Sequence, residues 1–123
     1  MTKFVETSEF SKLVRRYLPG DAYSELQNEL VSNPTRGDVM PGCGGLRKLR
    51  IVDPKRQKGR RGGARVIYLH ITVVSHFLML DIYDKNEKDN LTPADKKQLR
   101  SLAQEYKKRV IEESSAEDQE KQE

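Results

Sequence analysis

The chain has 123 residues, 35% hydrophobic and 34% charged, enough for one domain with a modest core and too few for two. No run approaches the roughly 18 apolar residues of a membrane span, and Met1-Thr2-Lys3-Phe4-Val5-Glu6 lacks the basic-then-apolar pattern of a secretory signal. The single cysteine, Cys43, excludes an internal disulfide and fits a reducing cytoplasm.

The net charge of +4 is unevenly spread. Glu112 to Glu123 holds six acids and one base. Leu46 to Arg65 holds nine bases (Arg47, Lys48, Arg50, Lys55, Arg56, Lys58, Arg60, Arg61 and Arg65) against Asp53 alone. A concentration of this kind is the electrostatic footprint of a polyanion site, RNA before others. A solvated basic face is the plainer alternative, and the density and adjoining glycines weigh against it.

Along the chain, Phe4 and Val5 suggest a short first strand. Phe10, Leu13, Val14, Tyr17 and Leu18 then recur at helical spacing. Thr7 or Ser8 suits the cap, and Pro19-Gly20 the end. Asp21 suits the cap of a second helix, with Ala22, Tyr23, Leu26 and Leu30 on one face, closed by Asn33-Pro34. Pro41-Gly42-Cys43-Gly44-Gly45 is a loop by composition. Leu46 to Val52 reads as a strand with Leu46, Lys48, Arg50 and Val52 on one face. Asp53 to Gly63 is a polar loop. Ala64 to Ile71 and His76 to Tyr83 read as strands. Thr92, Pro93 and Asp95 start a helix whose stripe is Leu99, Leu102, Ala103, Tyr106 and Val110. From 113 the chain is acidic, without large apolar residues, and reads as a disordered tail. Residues 1–112 form the domain. The order implies an α+β fold: a small, mostly antiparallel sheet with two N-terminal helices and one C-terminal helix.

Metal ligation has no basis in two histidines and one cysteine without ligand spacing. His70 and His76 fall near the turn between the last two strands, away from the basic loop, and suit packing or surface roles. Cys43 has no neighbouring base and suits a small loop residue. Gly42-Cys43-Gly44-Gly45 precedes a strand rather than a helix, which weakens a nucleotide-binding reading. The cations are more telling. Lys48 and Arg50 share a strand face, and Arg65 opens the next strand, read as the antiparallel neighbour, so the three can surround one phosphate. Arg47, Lys55, Arg56, Lys58, Arg60 and Arg61 extend the grip along an RNA backbone.

Four blocks then resemble RelE/HigB-type toxins of bacterial toxin–antitoxin systems, nearest the HigB-like branch. They are Asn33 to Val39, Gly44-Gly45-Leu46-Arg47-Lys48-Leu49-Arg50, Lys58-Gly59-Arg60-Arg61-Gly62-Gly63-Ala64-Arg65-Val66-Ile67-Tyr68, and Ile82 to Thr92. They occur in the family's order and spacing between about Phe4 and Tyr106. The resemblance implies a RelE-like microbial RNase fold and a cytoplasmic, metal-independent and cofactor-free endoribonuclease. Such an enzyme cuts mRNA in the A site of the ribosome's 30S subunit and inhibits translation. The ribose 2′-OH attacks the adjacent phosphate, leaving a 2′,3′-cyclic phosphate. Implied partners are a cognate antitoxin, for this branch a helix-turn-helix protein that links the toxin to operator DNA, and the ribosome with its mRNA, but no membrane.

Carried over by position, the resemblance makes Arg65 the stabiliser of the phosphorane charge, with Lys48 and Arg50 binding the scissile phosphate. Tyr83 and Lys85 match a Tyr-x-Lys at the end of the last strand, with Lys85 placed to stabilise or protonate the leaving oxygen. Asn86 stands where the RelE branch has an arginine, and Tyr106 fits the helix stripe rather than a catalytic aromatic. The general acid and base are therefore left open. Two other readings remain: a ParE-like gyrase-inhibiting toxin on the same scaffold, and a non-catalytic RNA-binding module.

Overall fold

Local sequence signals set the helix ends. Thr7 caps α1 (Ser8–Tyr17), its hydroxyl oxygen accepting the Phe10 N–H at 3.2 Å. The same hydroxyl donates to the Leu80 carbonyl at 2.7 Å and ties the helix to the sheet. Asp21 precedes α2 (Ala22–Ser32) but makes no side-chain capping bond; its carbonyl accepts the Glu25 N–H instead. At the start of α3 (Pro93–Gln122), Thr92 Oγ1 accepts the Asp95 N–H and Asp95 Oδ2 accepts the Thr92 N–H, both at 3.0 Å. This is a reciprocal capping box.

The structure, a computed structural model, describes residues 2–51, 63–84 and 91–122, the last six of them as backbone only. Five strands, β1 (Lys3–Glu6), β2 (Asp38–Val39), β3 (Arg47–Ile51), β4 (Ala64–Ile71) and β5 (His76–Asp84), form one sheet in the order β1-β5-β4-β3-β2. Only the β1–β5 pair is parallel. The α+β architecture with two helices before the sheet hairpins and one after them is the expected one. The two-residue β2 is an addition, too short to leave a pattern in sequence.

Helices cover both faces of the sheet. Phe10, Val14, Leu26 and Leu30 of α1 and α2 pack with Leu49, Val66, Tyr68, Met79 and Ile82. Leu99 and Ala103 of α3 pack on the opposite face with Leu46, Ile67, Leu69, Leu80 and Tyr83. Leu102, placed by its spacing in the α3 stripe, is instead 45% exposed. No helix among the described residues is long and apolar enough to cross a membrane.

Two departures from the sequence reading concern chain geometry. α3 continues through Gln122, past residue 113 where a disordered tail is expected. Nothing after Pro93 interrupts it, because the segment contains no glycine or further proline and is rich in Glu, Gln, Lys and Ala, good helix formers. The second is a β-bulge. Ile67 pairs with Asp81 but Tyr68 pairs with Met79, leaving Leu80 as the extra residue of β5. The bulge resets the two-residue alternation of β5. Met79 and Ile82 therefore share the α1–α2 face, while Leu80 and Tyr83 share the α3 face.

Candidate polyanion site

The register of three strands assembles the site. Arg50 of β3 lies opposite Arg65 of β4, and Arg65 lies opposite Tyr83 of β5. The next row is Lys48, Ile67 and Asp81. Residues directly opposed in a sheet project from the same face. Ile67 and Tyr83 belong to the α3-side core, so Lys48, Arg50 and Arg65 occupy that face too. Directly opposed side chains begin about 5 Å apart, and the diagonal from Lys48 to Arg65 is about 7–8 Å. The three cations expected to meet are therefore brought together. Without the bulge at Leu80, Tyr83 would point into the α1–α2 core.

Arg65 is 8% exposed, whereas Arg50 is exposed and Lys48 half-buried. The Arg65 Nη1 donates to the Gly63 carbonyl at 2.8 Å, which fixes the guanidinium. Burial, and then the facing Arg50 charge, lower the Arg65 pKa; Tyr83 and Asp84 oppose the shift. Burial and the facing arginine thus work against the guanidinium's charge. A phosphate between Arg50 and Arg65 would relieve both causes, replacing lost solvation with charge-assisted hydrogen bonds and neutralising like charges.

Tyr83 is 6% exposed. Burial and the nearby Asp81 carboxylate raise its pKa, with Arg65 opposing. The phenol is therefore a neutral hydrogen-bonding group at the edge of the cation row, unsuited to act as a base. Asp81 was not anticipated as a neighbour of the site. The signal was present: a lone acid within Leu78-Met79-Leu80-Asp81-Ile82-Tyr83 is anomalous in an apolar strand. The Gly63 carbonyl has no signal in the sequence as an acceptor, because Gly62-Gly63 suggests only a bend.

Arg47 does not join the row. It faces Tyr68 across β3–β4, on the α1–α2 side. Its Nη1 donates to the Gly37 carbonyl at 2.7 Å and the Thr35 carbonyl at 3.2 Å. Tyr68 completes this knot, donating to the Pro34 carbonyl at 2.7 Å and accepting the Gly37 N–H at 3.0 Å. A Cβ on Gly37 would lie 2.9 Å from Tyr68 Cε1, so only glycine fits. The Asn33 to Val39 block thus serves the connection from α2 to β2, and its requirement for glycine is a packing one.

The histidines stand at the far end of the β4–β5 hairpin, as expected. His70 stacks on Phe77 with ring centroids 4.5 Å apart, and His76 Nδ1 lies 3.4 Å from the Tyr106 hydroxyl. Five residues of strand, about 17 Å, separate His70 from Arg65. Tyr106 therefore belongs to the opposite end of the sheet from the cation row. Cys43 is buried in the loop before β3, its thiol 3.5 Å from the Pro41 carbonyl. Among the described residues no group of three His, Cys, Asp or Glu side chains is placed to hold a metal ion. Lys55, Arg56, Lys58, Arg60, Arg61 and Lys85 lie outside the described residues.

Comparison with known proteins concerns the chain as a whole. Among solved structures, an arginine-to-alanine double mutant of the E. coli toxin RelE in the free state is similar, with 15% identity and a TM-score of 0.49. The similarity covers 72% of this chain and 87% of that one. The family model described as the RelE toxin of the RelE/RelB toxin–antitoxin system matches residues 6–121. Since that match spans nearly the whole sequence, the chain belongs to the RelE family of toxin–antitoxin toxins.

Proposed function

We propose that the protein is a ribosome-dependent endoribonuclease that cleaves translated mRNA and so inhibits translation. The observation that carries this reading is the Arg50–Arg65–Tyr83 row, with Lys48 one step along the same face. A ParE-like gyrase inhibitor has no need of a buried and an exposed arginine facing each other on one side of the sheet.

In this mechanism Arg65 and Arg50 hold the non-bridging oxygens of the scissile phosphate. The ribose 2′-oxygen forms a bond to phosphorus as the bond to the 5′-oxygen breaks. A 2′,3′-cyclic phosphate and a free 5′-hydroxyl result, the 2′-OH proton being lost and the 5′-oxygen gaining one. Negative charge gathers on the phosphorane oxygens, where a prefixed guanidinium is most effective. The neutral Tyr83 phenol donates a hydrogen bond at the same centre. Lys85, two residues on, is assigned the leaving oxygen by the family motif. Cationic side chains near neutral pH are already protonated and make poor bases, so the rate rests on positioning and charge stabilisation, with the ribosome contributing geometry. The antitoxin is assigned to the helix-turn-helix class on the HigB-like resemblance, and operator DNA is reached through it.

The test is induced expression followed by mapping of mRNA 5′ ends. Cleavage confined to translated transcripts, lost in Arg65→Ala, is expected. Intact mRNA with a DNA-damage response would move the protein to the gyrase class. Unaffected growth would leave only RNA binding.

A further inference from the structure

We propose that the groove along the half of β5 that pairs with no outer strand among the described residues is where a basic amphipathic helix of the antitoxin docks, beside the cation row and not on its arginines. The proposal rests on the family membership for the existence of an antitoxin; its location and chemistry come from the following features.

β1 pairs with β5 only from His76 to Met79. From Leu80 onward that edge has no strand beside it among the described residues. Two hollows of about 530 Å³ and about 290 Å³ lie here, between the sheet edge and the helices, and share Thr7 and Leu102 as lining. Asp95 and Arg109 of α3 mark the limits, a run of about 21 Å at 1.5 Å per residue. That length suits a helix of roughly four turns.

Leu102 supplies the apolar anchor. It has core spacing on α3 yet is 45% exposed, and it belongs to both hollows. A lone exposed leucine is ordinary. One that forms the shared wall of two adjoining hollows, with Leu13 and Leu99 in the larger, is a place for apolar side chains.

Charge decides the occupant. The two hollows are lined by Glu6, Glu9, Asp81, Asp95 and Glu105 against Arg109 alone, and the Arg109 guanidinium lies over the Tyr106 ring at 5.9 Å. Glu9 and Glu105 are exposed. In a chain of net charge +4 this is a local reversal of sign, which repels RNA and attracts Lys and Arg. The backbone decides the mode. The Leu80 carbonyl already accepts the Thr7 hydroxyl, and the Ile82 N–H already donates to Asp81 Oδ1 at 2.9 Å. With these edge groups engaged, strand addition gains little, and recognition falls to side chains, as in helix-in-groove binding. Tyr83 lines the larger hollow, so the occupant lies beside the cation row and obstructs its approach to the ribosome.

The experiment titrates the full chain, by calorimetry, with the protein encoded by the adjoining reading frame. Leu102→Glu and the double variant Glu9→Lys/Glu105→Lys are each expected to weaken binding at least about tenfold. Arg50→Ala is expected to leave the affinity within about twofold. Circular dichroism confirms that each variant is folded, and hydrogen exchange is expected to show antitoxin-dependent protection of 98–109. Native affinity in both groove variants overturns the proposal, as does loss confined to Arg50→Ala or no binding to the native chain. A toxin dimer that the groove variants dissociate would assign the groove to a second copy and also overturn it. The readout is binding, so loss of the nuclease reading would appear separately, as Arg65→Ala protein that still cuts mRNA.

Discussion

Arg50 stands directly opposite Arg65 across the β3–β4 pair, so two guanidinium groups share one face with no acid between them in that row. Like charges in this position are mutually destabilising. Burial of Arg65 adds to the cost, and the Gly63 carbonyl only partly offsets it. An anion held between the two would offset these costs, and the first two predictions follow from that proposal.

Arg65→Ala should reduce the rate of mRNA cleavage on ribosomes about 10²–10³-fold, the usual loss for one preorganised donor to a developing oxyanion. Single-turnover rates on programmed ribosomes measure it, and thermal melts should show the variant folded. Arg65→Lys should recover only part of the rate, since an ammonium lacks the planar fork. A fully active, folded Arg65→Ala protein would remove this residue from the mechanism.

Arg50→Ala should weaken binding to a single-stranded RNA and lower the slope of log K against log salt by about 1. Arg47→Ala should leave that slope unchanged, because Arg47 faces the other side and holds the Thr35–Gly37 turn. Equal slopes for the two variants would contradict the division of labour between the faces.

Tyr68→Phe should cost about 1–3 kcal/mol of stability, measured in urea, by leaving the Gly37 N–H and Pro34 carbonyl without their partner. Gly37→Ala should also destabilise the protein, because its Cβ would meet Tyr68 Cε1 at 2.9 Å. Neither change should alter the salt slope of RNA binding.

Stability should fall in mild acid. Burial lowers the pKa of His70, with Arg47 contributing, and of His76, with Lys3 contributing, from the ordinary 6.5. The unfolded chain therefore takes up protons first as pH drops. The histidine contribution is fully present above about pH 6.5 and declines as pH falls through the folded-state values. Urea midpoints should decrease across that window, and His70→Gln should flatten the decrease. A midpoint insensitive to pH there would show that neither ring is held neutral by the fold.

Much of this was legible in sequence because it depends on short spacings. Thr7, Thr92 and Asp95 announce their helices. Lys48 and Arg50 share a face by strand periodicity, and Arg65 sits where its strand begins. What escaped depends on pairings between distant segments. Nothing near Leu80 announces a bulge, since the extra residue is defined only against Ile67 and Tyr68 of the neighbouring strand. Arg47 looks like one more cation in a basic run until β4 places Tyr68 opposite it. Leu102 matches the α3 stripe by spacing, but it lies where, among the described residues, no strand pairs with β5 beyond Met79 on that edge.

The central place of β4 has a further consequence, in the domain of time. It is paired along both edges, by β3 and β5, and covered by helices on both faces. Its residues from Ala64 to Leu69 are all buried. Amides in such a strand exchange with solvent only in the rarest openings of a protein. Arg65 is anchored in that strand, so its main chain would stay in register through the frequent, partial openings that release peripheral segments. The cation proposed to stabilise the phosphorane would thus be presented by the slowest-moving part of the molecule, already in place when an RNA arrives.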